Sequence, residues 1–178
     1  MAVKFITFFN RWFKKRYKLD YLAQSWCKPA LVMTQMIINQ RAVSLVEYRT
    51  DKNWLAELPT QDWLCILIIN EKHRRYLDEI LPKLLLRNVA WVCTIGSQCE
   101  WAHDLLDEEI VFREVESLYL PKHQVMTTWH DDFEEGIWFA LFAAQDNQVA
   151  LKQVAILDLT QGQERERVTN YLHSLQAE

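Results

Sequence analysis

The chain has 178 residues, half of them apolar and a quarter charged, with a formal net charge of −4 and only three glycines and four prolines. This profile excludes disordered, collagen-like and disulfide-scaffold classes and describes a chain able to fold around one hydrophobic core. No apolar run approaches the roughly 18 residues that cross a bilayer, so Leu64–Ile69 and Val89–Ile95 read as strands, not spans.

The four cysteines, Cys27, Cys65, Cys93 and Cys99, lack the dense spacing of a disulfide framework. Cys65 and Cys93 sit inside apolar runs, where a free thiol behaves as a small hydrophobe. Arg11, Lys14, Lys15 and Arg16 interrupt any apolar leader, and the expectation is a cytoplasmic, reducing location.

Charge is unevenly divided. Residues 1–18 carry six basic side chains and no acidic one, leaving 14 basic against 24 acidic in the remaining 160, a net of −10. An acidic body disfavours nucleic acid and favours a basic protein partner. Phe5, Phe8, Phe9, Trp12 and Phe13 fall on one face of a helix over residues 3–18. That helix is expected to dock on the domain, with peripheral membrane contact as the alternative.

Along the chain, Pro29 and the apolar residues of Ala30–Gln40 predict a second helix, so that residues 1–40 form a helical extension on a single α/β domain spanning 1–178. Ala42–Tyr48 and Trp63–Ile69 read as strands, the second apolar enough to be covered on both faces at the centre of a sheet. Thr50–Asp62 reads as a loop at the edge of the core. Glu71–Arg87 has helical periodicity, with a kink or split expected at Pro82.

Val89–Ile95 is the next strand, Gly96 the turn after it, and Ser97 or Gln98 the opening of a short helix to about Leu106. Ile110–Val115 suggests a short extra strand and His123–Trp129 a further one. Asp131 or Asp132 then caps a helix with Glu134 and Glu135 in its first turn, running to about Asp146–Asn147. Gln153–Leu159 reads as strand and Gly162–Leu175 as helix. The alternation predicts a three-layer α/β sandwich with a mostly parallel sheet of about five strands, Rossmann-like or flavodoxin-like. Strand order and oligomeric state are left open.

Ligands of such sheets bind at the carboxyl ends of the strands. Two segments stand there on this reading, Gly96–Asp104 and Met126–Asp132, both expected to open on one edge. They offer Cys99, His130 and Asp131 for a nucleophilic site, and Trp101, His103, Asp104, Thr128, Trp129, His130 and Asp132 for recognition. Neither loop has the spacing of a metal site, so no metal and no cofactor are expected. The three glycines form no phosphate-binding turn and no Gly-x-Ser-x-Gly elbow.

Met126-Thr127-Thr128-Trp129-His130, followed by Glu135 and Trp138-Phe139 and preceded by Cys99-x-Trp101-x-x-Asp104, resembles an uncharacterised bacterial domain family marked by an M-T-T-W-H motif. The resemblance covers about the middle half of the chain. It implies a bacterial origin and an α/β fold and carries no activity. The expected function is non-catalytic protein binding, of the kind an immunity or defence-accessory protein uses against a toxin or effector. The alternative is a small-molecule hydrolase built on Cys99 and His130.

Overall fold

A computed structural model describes residues 36–176. The N-terminal amphipathic helix expected over residues 3–18 lies outside the described residues, as does the first part of the helix expected over Ala30–Gln40.

The described chain is a mixed α/β sandwich. Six strands, β1 (Met36–Ile38), β2 (Arg41–Glu47), β3 (Trp63–Ile68), β4 (Val89–Ile95), β5 (Met126–His130) and β6 (Gln153–Asp158), form one sheet in the order β1-β2-β6-β3-β4-β5. Four helices flank it: α1 (Arg74–Leu86), α2 (Cys99–Val115), α3 (Phe133–Trp138) and α4 (Arg165–Gln176). All pairings are parallel except β1 with β2.

The centre of the sheet is where the most continuous apolar run predicts it. Every residue of β3 is buried, because alternate side chains enter opposite cores. Cys65 and Leu67 meet Leu77, Ile80 and Leu84 of α1 and Leu106 of α2 on the first face. Leu64, Ile66 and Ile68 join Ile137 and Leu141, from α3 and the turn that follows it, and Val168 of α4 on the second.

Several sequence expectations are corrected. Residues 36–40 are not helical: Met36–Ile38 pair with Arg41–Val43 across Asn39 and Gln40, both at positive φ, 46° and 61°. A two-residue turn of that kind matches the twist of a hairpin, and a three-residue apolar run cannot by itself distinguish strand from helix. The sheet therefore gains a sixth, antiparallel strand. Pro82 does not split its helix, since α1 continues through it to Leu86 with Pro82 buried. Within Thr50–Asp62, Trp54–Glu57 forms a 3₁₀ turn that buries Trp54.

Ile110–Val115 is not a strand but the second half of α2, which runs 17 residues rather than stopping near Leu106. Buried Arg113 anchors this extension: its Nε donates to Glu109 Oε1 at 2.6 Å and its guanidinium to the Tyr119 carbonyl at 3.0 Å. After α3 the chain makes a π-helical turn over Phe139–Ala143 and ends its helix there, short of Asp146. The wider turn closes with the Ala144 amide donating to the Phe139 carbonyl at 2.8 Å. Arg41 donates to the carbonyls of Ala140 and Ala144, which supplies partners for the groups a helix end exposes.

Candidate functional site

The β4 and β5 exits diverge. The chain leaves β4 to form α2 on the first face and leaves β5 to form α3 on the second. The carboxyl ends of these two neighbouring strands therefore lie side by side between the two helix layers. The two sequence-predicted segments meet at this point.

The turn after β4 is fixed by its backbone. Gly96 has φ of +109°, and the Gln98 amide donates to the Ile69 carbonyl at 3.2 Å. Ser97 Oγ donates to the Asn70 carbonyl at 2.8 Å, and Asn70 Nδ2 donates to Glu164 Oε1 at 3.0 Å. This network ties the ends of β3 and β4 to the start of α4 and sets where α2 begins.

Met126-Thr127-Thr128-Trp129-His130 is strand β5, which starts three residues later and ends one residue later than the strand expected over His123–Trp129, and it pairs in unbroken register with Trp91–Ile95. Strand alternation then separates its side chains. Thr128 accepts a 3.1 Å hydrogen bond at Oγ1 from Trp91 Nε1, so its side chain serves the second face. His130 lies on that face too, its ring centroid 4.8 Å from that of Phe139 and its Cβ beside Gly136. The Nε2 atom is buried without a hydrogen-bond partner, and Nδ1 lies 3.8 Å from Glu135 Oε1. Trp129 takes the opposite alternation, toward the α2 side, and is 44% exposed.

Cys99 heads α2 on the first face, where its carbonyl accepts from Thr94 Oγ1 at 2.8 Å. No hydrogen bond joins Cys99 to His130. Asp131 comes closer to the thiol electrostatically, in the direction opposite to activation. Burial pushes the Cys99 thiol above its ordinary value, and the Asp131 and Glu100 carboxylates push it further, against a lowering by backbone amides. A nucleophilic cysteine needs thiolate character. We therefore expect iodoacetamide to label Cys99 no faster than an ordinary cysteine near neutral pH, and His130→Ala to leave that rate unchanged. Rapid, His130-dependent labelling would show that the two side chains meet in solution.

The remaining predicted residues divide between packing and surface. Asp132 caps α3, accepting from the Glu135 amide at 2.8 Å, and Asp131 is exposed with Oδ1 accepting from the Asp132 amide. Trp101 is half-buried against the first core with Lys72 Nζ 5.9 Å from its ring centroid. His103 lies on α2 with Nδ1 3.5 Å from exposed Asp104 and Nε2 3.7 Å from Asp107.

The orientation of α2 follows from these contacts. Trp101 faces Lys72, just before α1, and Glu109 feels the charge of Asp78 on α1. These mark its α1 side. At about 100° per residue, His103, Asp107, Ile110 and Glu114 fall on the other flank, toward β5. Asp107 and Glu114, which the sequence reading did not single out, share this flank with His103, and the signal for them was present in the charge distribution. Residues 99–143 hold eleven acidic side chains and only two basic ones, Arg113 and Lys122. Nearly all of the body's excess negative charge thus belongs to the segment that builds α2, β5 and α3.

Among the described residues no three histidine, cysteine, aspartate or glutamate side chains gather to hold a metal ion. Nor is any described helix long and apolar enough to cross a membrane. Between α3 and α4 an open cleft of about 490 Å³ is lined by Glu134 and, among others, Arg167 and Tyr171 of α4. Arg167 is already engaged there, its guanidinium 4.0 Å from the Phe133 ring centroid and 3.8 Å from Glu164.

No curated protein and no solved structure matches the chain. Residues 43–174, from β2 through α4, match the family described as "Domain of unknown function (DUF7684)", and the chain belongs to that family.

Proposed function

We propose that this domain is a non-catalytic protein-binding module whose partner is basic, and that it engages the partner along the α2–β5 edge. One observation carries the reading: the segment 99–143 carries eleven acidic side chains against two basic ones, and within it β5 is an edge strand whose tryptophan is exposed. A half-exposed indole beside complementary charge is what tight recognition uses as an anchor, and the charge speeds encounter. The toxin- or effector-neutralising role belongs to this same proposal, since capture of a basic protein is what such a surface suits.

The test is recovery of a partner from native extract with the full chain. We expect a basic protein to co-purify in a salt-sensitive manner. The changes Asp107→Lys, Glu114→Lys and Asp131→Lys together should reduce recovery by about tenfold or more, as reversal of steering charges does. Recovery undiminished by the three reversals, or insensitive to salt, would contradict the proposal.

A further inference from the structure

We infer that the partner binds by adding a basic, extended segment to β5 as a seventh strand; this deepens the binding reading above and rests on it. β5 is the terminal strand of the sheet, and among the described residues none pairs with its outer edge. An edge of that kind presents alternate amides and carbonyls that template another strand.

Proteins ordinarily blunt such edges with lysine, proline, a bulge or a very short strand. At the far edge of this sheet, β1 is only three residues long and ends in the Asn39–Gln40 turn. β5 has none of these devices. Its sequence is Met-Thr-Thr-Trp-His, its register to β4 shows no irregularity, and two threonines and a tryptophan give it high strand propensity.

Charge identifies the occupant. A second copy pairing β5 with β5 would bring two strongly acidic surfaces together, and like charges across an interface are costly. A basic strand meets the opposite situation. Its alternate side chains would extend to the first face toward Trp129, Asp107 and Glu114, and at the strand's carboxyl end toward Asp131. Main-chain hydrogen bonds would supply affinity and the acidic flank would select lysine and arginine, the division of labour in strand addition.

The experiment uses the full chain and two end-blocked octapeptides of alternating lysine and valine, one unmodified and one N-methylated at its backbone amides. Both carry the same charge, and only the first can extend the sheet. Titration calorimetry gives affinity, and amide hydrogen exchange reports on residues 126–131. We expect the unmodified peptide to bind with slowed exchange confined to β5 and its flanks, and N-methylation to weaken binding about tenfold or more, equivalent to losing ~1.4 kcal/mol. Equal binding of the two peptides would overturn strand addition while leaving the acidic-surface reading intact. Binding of neither at low salt would overturn both. Sedimentation of the protein alone as a dimer that protects the β5 amides would assign the edge to a second copy and overturn the inference.

Discussion

Gly96→Ala should unfold the domain at markedly lower denaturant than the parent chain, with an expected loss of about 3 kcal/mol or more. The position combines two penalties. Its φ of +109° is a conformation an L side chain rarely adopts. An added Cβ would also stand 2.5 Å from Asn70 Oδ1 and 2.6 Å from the Ile69 carbonyl oxygen. The first neighbour is a side chain already bound to the Ser97 amide and to Glu164, and the second is backbone, so neither yields cheaply. In a domain of this size such a loss lowers the melting temperature by about 6–12 °C. A melting temperature within about two degrees of the parent would show that the turn relaxes where the hydrogen-bond network says it cannot.

Arg113→Met is the second large effect, and its pH dependence gives it a signature. Arg113 and Glu109 are both mostly buried, at 8% and 14% side-chain exposure. Removing one partner strands the other in a poor environment and costs about 3–5 kcal/mol at neutral pH. Burial already holds the Glu109 carboxyl above its ordinary range, Asp78 adds to this, and Arg113 opposes it.

A carboxylate whose folded pKa exceeds its unfolded one takes up a proton on folding. Stability therefore falls as pH rises from the unfolded pKa to the folded one. Without Arg113 that window extends upward. The difference between variant and parent should be small below about pH 4 and widen toward neutrality. Urea unfolding across this range measures it directly; a difference independent of pH would mean that Arg113 acts through packing and the Tyr119 carbonyl alone.

The parts of the fold legible in sequence are those where hydrophobic burial acts alone. Trp63–Ile68, Val89–Ile95 and Gln153–Asp158 are strands because their apolar runs are strand-length and bounded by turn residues, and they form adjacent members of the sheet. The strand order was not legible, since insertion of β6 between β2 and β3 depends on which helix layer each connection joins. Edges were harder still. β1 shares its apolar pattern with a helix, and Val111 and Val115, 58% and 74% exposed, gave the end of α2 the look of a strand.

The candidate site was half legible. The strand expected over His123–Trp129 covers most of β5, and treating Met126–Asp132 at the same time as a segment beyond the strand left its side chains free to converge. As a strand it must alternate, which sends Trp129 to the α2 side and His130 against Phe139. The acidic concentration over residues 99–143 was readable from the sequence by windowed charge and points to the same edge.

The hydrogen-exchange footprint of the full chain with its captured partner decides whether a basic protein binds along the α2–β5 edge. Slowed exchange is expected over Met126–His130 and on the β5 flank of α2, with α1, α4 and the β1 edge unchanged. Protection falling instead on the cleft between α3 and α4, with β5 exchanging as in the free chain, would contradict it.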